Sequence, residues 1–391
     1  MLKATLRPLV FALAMTIVFG IAGCKKKDET PSPPDGNLKL KYITNTGENL
    51  WFAPIIANEV MAVIGFESNV KGIKKETGEI LWTFTPPDGK QPWLTGGFSD
   101  GTTFYIGVSG AEFYALDALT GETKWKTNVG IDVTRQGVVH EGTLYLPTAK
   151  YWPPYLSAYT ELADVVKLDA ATGKELGRFT TDNYMVSTLS LENGVIYVGG
   201  SNNKPHSSEE GGTHTIHAID AATMTEKWKQ DGSDGMTKTI IAKNGVLNYI
   251  GYDDFVVGLT MDTGKEIWRT NTGNWVRGLS YADGVTYFGA ANNKVFAINQ
   301  QTGGVIWKYT LLYPRILSFI LAPPIIQDGV VYFVNRDSRL FSAVNASNGE
   351  LIWTYQTELT ENSHGAPVLD GNMFYMSGFD GRVFAYELVI N

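Results

Sequence analysis

The sequence is poor in cysteine and histidine, and this scarcity excludes several kinds of site. Cys24 is the only cysteine among 391 residues, so no disulfide can form within one chain. The five histidines do not follow metal-ligand spacing, because His214 and His217 would point to opposite faces of a strand. The chain also has no nucleophile-elbow, P-loop or dinucleotide-binding sequence. We therefore expect no catalytic residue and no metal site.

Helical periodicity and an excess of positive charge are also missing. Lys and Arg number 32 against 40 Asp and Glu, which gives a net charge of −8. Loss of residues 1–23 would remove two positive charges, those of Lys3 and Arg7, and leave −10. An acidic protein of this kind is a poor candidate for binding nucleic acid or anionic membrane surfaces. We therefore expect no nucleic-acid partner.

The N-terminus carries an apolar run that is too short to span a membrane. Leu9–Ile21 has 13 residues, whereas a transmembrane helix needs roughly 20. Ile21-Ala-Gly-Cys24 follows and resembles a bacterial lipobox, in which the cysteine is acylated and becomes the N-terminus. We predict a lipoprotein signal peptide over residues 1–23, lipidation of Cys24 and a flexible tether over 24–36. The alternative is an ordinary secretory signal with an incidental cysteine.

One stretch, Phe113–Trp125, reads as two strands joined by a tight turn at Thr120-Gly121. The turn glycine is followed four residues later by a tryptophan, which has a large apolar face to bury. The arrangement recurs, with the turn position at Gly78, Gly121, Gly173, Met224, Gly264, Gly303 and Gly349. The tryptophans are Trp82, Trp125, Trp228, Trp268, Trp307 and Trp353, and Gly177 stands in this position in the third copy.

A small residue stands six positions before each turn. It is Gly72, Ala115, Ala218, Gly258, Ala297 or Ala343, and the third copy has Lys167 instead. We predict that each indole lies over the backbone at the small residue and packs between neighbouring repeats. A copy without the indole does not need the small residue, and the third copy lacks both: it has Gly177 in place of the tryptophan and Lys167 in place of the small residue.

A second mark, a turn dipeptide such as Asn193-Gly194 or Asn244-Gly245, occurs eight times before a strand-like run. The two marks divide the chain into eight units of four antiparallel strands, here called A to D from inside to outside. This pattern predicts an all-β, eight-bladed β-propeller over residues 37–391. The eighth unit ends near Leu388 without a fourth strand, so we expect Leu38–Ile43 to complete it and close the ring.

The pattern Ala-x-Asp-x-x-Thr-Gly-x-x-x-Trp resembles the repeat of the pyrroloquinoline-quinone (PQQ) propeller family, across nearly the whole chain after the N-terminal segment. One branch of that family contains quinoprotein dehydrogenases. Another contains non-enzymatic propellers, including the BamB-like lipoproteins of outer-membrane protein assembly. Eight repeats, a lipobox and a chain under 400 residues resemble the second branch, which implies a binding scaffold and not an enzyme.

The dehydrogenase branch typically holds PQQ beneath a disulfide of adjacent cysteines, beside a Ca²⁺ ion and a catalytic Asp. A single cysteine rules out that disulfide. The nearest cation-loop sequence, Asp231-Gly-Ser-Asp234-Gly, lacks the ligand density of a Ca²⁺ site. We therefore expect neither PQQ nor another cofactor.

Loop length varies on one end of the predicted ring only. We call this end, formed by the B–C loops and D–A links, the variable face; the A–B and C–D turns form the turn face. Two insertions on the variable face carry Trp152 and Tyr155 in one loop, and Tyr313 and Arg315 in the other. Trp, Tyr and Arg dominate protein interfaces, so these are candidate partner contacts. The alternative is that both loops fold back and bury them.

Alignment of the inner strands by their turns suggests an anion site at the mouth of the central channel. Arg135, Lys238 and Arg277, with His364, occupy equivalent positions near the axis. The hypothesis is that these cations receive a small anion or an acidic peptide, since low-dielectric walls would strengthen their field. Pairing with local Asp or Glu is the alternative.

Three classes of function remain open from the sequence. The leading one is a monomeric, lipid-anchored envelope scaffold, at the outer membrane on its periplasmic or surface face, that binds a protein or peptide in outer-membrane protein assembly. The second is a PQQ-dependent dehydrogenase. The third is a surface-exposed lipoprotein that binds glycans or small ligands.

Replacement of the lipobox cysteine tests the anchor. We expect Cys24→Ala to release the protein from the membrane or leave it unprocessed, because acyl chains alone would hold it there. Membrane fractionation with and without detergent measures this. Retention of the variant that still requires detergent would exclude lipidation.

Overall fold

The described part of the chain consists of β-strands, turns and loops. The computed structural model describes residues 38–66, 69–87, 97–130, 132–133, 135–149, 162–202, 213–232, 239–251, 254–291, 293–311, 320, 322–360 and 365–389. The predicted signal peptide, Cys24 and the predicted tether lie outside these ranges. Within them, no helix has the length and apolar character needed to cross a membrane.

The strands form eight antiparallel sheets of four strands each, in the order A-B-C-D. Blade 1 contains β2 (Ile55–Ala57), β3 (Val60–Ile64), β4 (Val70–Lys74) and β5 (Ile80–Phe84), and blade 2 contains β6 (Phe98–Ser99), β7 (Thr103–Val108), β8 (Glu112–Asp117) and β9 (Thr123–Asn128). Blade 3 contains β10 (Val138–His140), β11 (Thr143–Thr148), β12 (Asp164–Asp169) and β13 (Glu175–Thr180). Blade 4 contains β15 (Ser190–Glu192), β16 (Val195–Val198), β18 (His214–Asp220) and β19 (Thr225–Gly232), beside a separate pair of β14 (Met185–Val186) and β17 (Gly200–Ser201).

The second half of the ring repeats the same order. Blade 5 contains β20 (Ile240–Lys243), β21 (Val246–Ile250), β22 (Phe255–Thr260) and β23 (Glu266–Asn271), and blade 6 contains β24 (Val276–Ala282), β25 (Val285–Ala290), β26 (Lys294–Asn299) and β27 (Val305–Thr310). Blade 7 contains β28 (Ile325–Gln327), β29 (Val330–Val334), β30 (Leu340–Asn345) and β31 (Leu351–Gln356). Blade 8 contains β32 (Val368–Asp370), β33 (Met373–Ser377), β34 (Arg382–Leu388) and, as its outer strand, β1 (Leu38–Asn45). The predicted eight-bladed propeller and its closure by the N-terminal strand are confirmed.

The turns follow directly from their residues. In blade 4 the A–B turn has φ of 49° at Asn193 and 73° at Gly194, the positive pair that a two-residue hairpin requires. The C–D turn of blade 3 is held by Asp169, whose carboxylate accepts the hydroxyl of Thr172 at 2.7 Å and its N–H at 2.8 Å. These two bonds lower the pKa of Asp169, since they favour its ionised form. The Asp-x-x-Thr part of the repeat therefore builds the turn itself.

Tryptophans join consecutive blades. The indole of Trp82 lies against Gly72 of its own blade and covers the turn residue Gly121 of blade 2, where a Cβ would come within 2.5 Å of the ring. Its N–H donates to the carbonyl of Ala118 in the same turn, at 3.1 Å. Equivalent bonds of 2.8–3.0 Å join Trp125 to Ala170, Trp228 to Met261, Trp268 to Gln300 and Trp307 to Ala346. Trp353 is buried in the apolar cluster between blades 7 and 8.

Tyr42 on β1 plays the part of the tryptophan in blade 8. It pairs with Ala385, the small residue of that blade, and its ring covers the turn residue Gly78 of blade 1. Its hydroxyl donates to the carbonyl of Lys75 at 2.6 Å. Thr44, two residues along the strand, donates to the carbonyl of Gly78 at 2.7 Å. The last junction of the ring therefore uses the same contact as the others, although the sequence analysis did not identify Tyr42.

Blade 3 makes its junction with blade 4 in another way. The ammonium of Lys167 donates to the carbonyls of Ala221 and Ala222 at 2.8 and 3.0 Å, and Ala221 holds the place that accepts an indole N–H elsewhere. Met224 occupies the turn position with φ of 56°, and its Cγ lies 3.0 Å from where a Cβ on Gly177 would stand. The methionine therefore fills the space of the missing indole, and the lysine replaces its hydrogen bond.

A β-bulge precedes the docking residue in each outer strand. In blade 6, Ala297 pairs with Trp307 but Ile298 pairs with Val305, which leaves Ile306 unpaired. The same register shift occurs in the other seven blades. A bulge turns two consecutive residues outwards and twists the strand, which protects an exposed sheet edge from pairing with another chain.

Ring closure by Tyr42 predicts a measurable loss of stability. We expect Tyr42→Ala to lower the free energy of unfolding of the whole propeller by about 3 kcal/mol, because a buried aromatic contact is lost. Tyr42→Phe should cost about 1 kcal/mol for the hydrogen bond alone. Deletion of residues 38–43 should cost more than either. Urea unfolding measures all three, with Lys39→Ala, an exposed change on the same strand, as control; unchanged midpoints would show that β1 does not close the ring.

The different junction of blade 3 predicts that substitutions at positions 167, 177 and 224 have strongly non-additive effects on stability. We expect Gly177→Trp alone to destabilise the protein by about 1–3 kcal/mol, because Met224 already fills the indole space. The triple variant Lys167→Ala, Gly177→Trp, Met224→Gly recreates the common junction and should recover that loss. Thermal unfolding of the single, double and triple variants measures the interaction energy. A triple variant no more stable than Gly177→Trp would contradict the assignment.

Candidate functional site: the variable face

Only part of the predicted site lies within the described residues. Arg135 and Arg277 are described, and both are exposed. Lys238, His364, Trp152, Tyr155, Tyr313 and Arg315 lie outside the described ranges, so their predicted roles stay predictions. The site is therefore built from the two arginines and from the loops around them.

Arg277 is the second residue of β24, at the entrance of the inner strand of blade 6. A register shift between Val276 and Leu279 lies at this point, and the carbonyl of Arg277 accepts the hydroxyl of Thr239 from blade 5 at 3.2 Å. The backbone is therefore fixed by the neighbouring blade while the side chain extends to solvent. Among the described residues, the Arg277 guanidinium has no hydrogen bond or ion pair, so its charge is open to a ligand.

Arg135 lies in the D–A link that leads into the inner strand of blade 3. Its side chain is solvent-accessible, yet desolvation by the surrounding protein lowers its pKa. An arginine has a pKa so far above neutrality that it stays charged despite this shift. Both described cations of the predicted cluster are therefore charged and accessible.

Ser187 and Phe52 stand at the same distance before the A–B turn as Arg135 and Arg277, but neither is exposed. Ser187 is buried, and its hydroxyl donates to the carbonyl of Thr188 at 2.9 Å and accepts the N–H of Gly199 at 3.1 Å. Phe52 packs against the core between blades 1 and 2. Equal distance from the turn therefore does not give equal access to the channel, because each link adopts its own conformation before the strand begins.

Trp275 is an interface candidate that the sequence analysis missed. It stands two residues before Arg277 and is 53% exposed, the most exposed large apolar side chain among the described residues. Its carbonyl accepts the N–H of Ala291 at 2.9 Å, so the backbone is anchored while the indole faces solvent. Tryptophan and arginine are both enriched among the residues that contribute most to protein interfaces, so Trp275 and Arg277 are candidate partner contacts.

A second exposed aromatic group lies where blade 8 meets blade 1. Trp51 lies 5.7 Å from both Phe66 and Phe379, measured between ring centroids. Trp51 belongs to the D–A link into blade 1, and the two phenylalanines belong to B–C loops, so the cluster lies on the variable face. The sequence contained a signal for these residues: six of the ten tryptophans dock blades, and Trp51 and Trp275 are among the four left over.

Other arginines of the described chain are structural. Arg382 donates to Asp380 at 2.6 Å and lies over the ring of Phe384. Arg339 donates to the carbonyl of Leu359 at 2.7 Å. Both guanidinium groups donate hydrogen bonds to loops of blades 7 and 8, whereas that of Arg277 donates none to a described residue.

Two histidines on the C strand of blade 4, His214 and His217, are packed within the fold. His217 Nε2 accepts the N–H of Asp182 at 3.2 Å, so its Nδ1 carries the proton and donates to Glu226 at 2.8 Å. His214 lies on the other side of the strand, with its ring 5.4 Å from that of Tyr249. In the described part of the chain, no three His, Cys, Asp or Glu side chains are grouped to hold a metal ion.

A polar cavity of about 720 Å³ lies at the edge of blade 4. It is lined by Asp182, Asn202, Thr213, Thr215, Lys229, Asp231 and Gly232. Asp182 pairs with Lys229 at 2.8 Å, and Thr215 donates to Asp231 at 2.7 Å. The charges are thus largely satisfied within the wall, so the cavity is a weaker candidate than the variable face.

Comparison with known proteins identifies a family that the chain matches. The chain matches the family described as outer membrane protein assembly factor BamB over residues 67–160, 154–249 and 252–388. A relative from Yersinia pestis, the outer membrane protein assembly factor BamB, is 22% identical over 329 residues, which cover 81% of this chain and 79% of that protein.

Solved structures share the fold. The crystal structure of BamB from Moraxella catarrhalis has a TM-score of 0.65 at 17% identity and covers 90% of this chain and 99% of that chain. Quinohemoprotein alcohol dehydrogenase from Comamonas testosteroni has a TM-score of 0.69 at 15% identity, over 91% of this chain and 77% of that chain. At these identities the structures indicate a common propeller and do not separate a scaffold from an enzyme.

Proposed function

The chain belongs to the family of the outer membrane protein assembly factor BamB, and from that premise we propose that it is a non-enzymatic, lipid-anchored scaffold of outer-membrane protein assembly. The observation that carries the proposal is the family match, which extends from residue 67 to residue 388 and thus covers the propeller from the third strand of blade 1 to the end of β34. Cys24 anchors the chain to the outer membrane in this proposal, and the propeller acts through protein contacts.

The variable face supplies the binding surface. Trp275 and Arg277 provide an exposed aromatic ring and a guanidinium that no described residue neutralises. Arg135, in the D–A link of blade 3, adds a second accessible cation. The protein as a whole is negatively charged, so these two exposed arginines and the exposed tryptophan favour a partner segment that is acidic and carries an apolar side chain.

The chemistry of the dehydrogenase branch does not fit these residues. In that branch PQQ typically lies beneath a disulfide of adjacent cysteines, and Cys24 is the single cysteine of this chain. The described residues also offer no acidic group of three for a calcium ion. Reconstitution with PQQ and Ca²⁺, followed by a dye-linked oxidation assay, tests this directly; turnover would overturn the non-enzymatic assignment.

Partner capture tests the scaffold proposal. Tagged, lipidated protein is used to recover binding partners from envelope extracts, and the triple variant Arg135→Ala, Lys238→Ala, Arg277→Ala is compared with it. We expect the triple variant to lose most of the salt-sensitive binding, because the cations would contact an acidic segment. Trp275→Ala should weaken binding without changing its dependence on salt.

Lys227→Ala is the matched control, since it removes an exposed cation from the outer strand of blade 4, away from the variable face. It should leave capture unchanged. If the folded triple variant binds with unaltered affinity and salt dependence, the cation site is wrong. If captured proteins include none involved in outer-membrane protein assembly, the functional proposal itself fails.

A further inference from the structure

Exposed aliphatic side chains are distributed unevenly around the turn face. In the outer strand of blade 8, Leu40 packs against the core and only Lys41 is exposed before the docking residue Tyr42. In blades 1 to 7, the two residues before the docking position are turned outwards by the bulge. Both are aliphatic in blades 6, 7 and 1, where they are Val305, Ile306, Leu351, Ile352, Ile80 and Leu81, all exposed. We call these six residues the aliphatic rim.

The same two positions are polar or mixed in blades 2 to 5. Blades 2 and 4 have Thr123 with Lys124 and Glu226 with Lys227, whereas blades 3 and 5 have Glu175 with Leu176 and Glu266 with Ile267. The first position is therefore aliphatic on one side of the ring and hydroxyl or acidic on the other. Since the bulge and the docking contact are common to both sides, the fold itself does not require this difference.

The aliphatic rim flanks the point where the N-terminal segment enters the ring. Leu38, the first residue of β1, pairs with Leu388 at the end of β34, which places it on the turn face of blade 8. Blade 8 is joined to blade 7 through the cluster around Trp353 and to blade 1 through Tyr42. Both neighbours of blade 8 therefore carry rim residues.

The reach of the preceding segment is limited. Thirteen residues separate Cys24 from Leu38, and they extend to at most about 45 Å. An acyl chain on Cys24 would thus keep a lipid surface within about 45 Å of Leu38, on the turn face of blade 8. The exposed aliphatic side chains belong to the blades on either side of this point.

We propose that the aliphatic rim rests on the lipid surface to which Cys24 is anchored, so that the turn face of blades 6, 7, 8 and 1 faces the membrane and the variable face points away from it. The inference rests on the proposed lipidation of Cys24. The acyl chains supply the affinity, and the rim supplies the orientation, because its side chains leave water only when this side tilts towards the lipid.

The contact is apolar in character. Acidic residues occupy the first position in blades 3, 4 and 5, on the far side of the ring, where they favour water. The six rim side chains themselves carry no charge, so the rim suits a surface of zwitterionic lipid. The orientation should therefore persist at high salt, unlike a contact made by lysines.

A pair of matched cysteine variants tests the orientation. Ile352→Cys and Lys227→Cys introduce a thiol at the same bulge position in blades 7 and 4. The full lipidated chain is labelled with a fluorophore and placed in vesicles of phosphatidylethanolamine and phosphatidylcholine. We expect spin-labelled lipid to quench the label at 352 several-fold more than the label at 227. Aqueous iodide should show the opposite order.

Labelling of the unsubstituted protein distinguishes failure of the lipid anchor from failure of the rim orientation. Its single cysteine cannot react with the label if it is acylated, so labelling of Cys24 would overturn the anchor and with it the inference drawn from it. If Cys24 is unreactive and both introduced positions are quenched equally by lipid, the rim inference alone fails.

Acidic substitutions in the aliphatic rim test what causes the orientation. Ile80→Glu, Val305→Glu and Leu351→Glu, added together to the Ile352→Cys protein, give blades 1, 6 and 7 the character of blades 3 to 5. We expect lipid quenching at 352 to fall to the level seen at 227 while the protein stays membrane-bound; Thr123→Glu is the control at the same position. Persistence of the difference would show that the tether alone orients the ring.

Native envelopes provide a last comparison. If the label at 352 is shielded from both lipid and aqueous quenchers there, a protein covers the rim and the lipid contact is overturned. Quenching by lipid in envelopes as in vesicles supports it.

Discussion

The structure depends on a contact repeated between blades, in which a side chain of one outer strand donates a hydrogen bond to a turn carbonyl of the next. A partly buried indole N–H needs an acceptor, and the first carbonyl after a C strand is available because the chain turns there. The indole then covers the turn, which favours glycine, and lies on the C strand, which favours alanine or glycine. One interaction thus restricts three positions of most repeats, namely the docking residue, the turn residue and the small residue of the C strand. Blade 3 replaces it with Lys167, a donor on its C strand.

The same reasoning explains how far the sequence could predict the fold. The repeat, the blade number and the closing strand were predictable because each copy obeys the same restriction. Tyr42 was not, since it comes from the other end of the chain and no Thr-Gly turn precedes it. Lys167 and Gly177 were recognisable as a departure, but their hydrogen-bond and packing partners, Ala221 and Met224, lie in the next repeat. When both residues of a contact between repeats differ from the repeat pattern, the sequence of one repeat does not reveal its partner in the next.

The candidate binding face could be predicted only in part. The variable face followed from loop lengths, and the accessible cations Arg135 and Arg277 came from inner-strand alignment. Position along a strand did not determine exposure, because bonds such as that between Ser187 and Gly199 draw some links into the core. Trp275 was overlooked because it follows no repeat; it becomes evident once the tryptophans that dock blades are set aside. Residues outside a repeating pattern are therefore the more informative ones about binding.

The bulge connects the architecture with the surface. It exists because the docking residue must face the next blade while the two residues before it leave the C–D turn, and it turns both of them to solvent. These positions are therefore released from the core and carry no packing demand. Two aliphatic side chains in each of three blades around blade 8, and an acidic or hydroxyl residue at the first position in blades 2 to 5, cannot be explained by stability of the ring, since water penalises the former and favours the latter. Their arrangement around the entry of the N-terminal segment points to the surroundings of the folded protein as its cause.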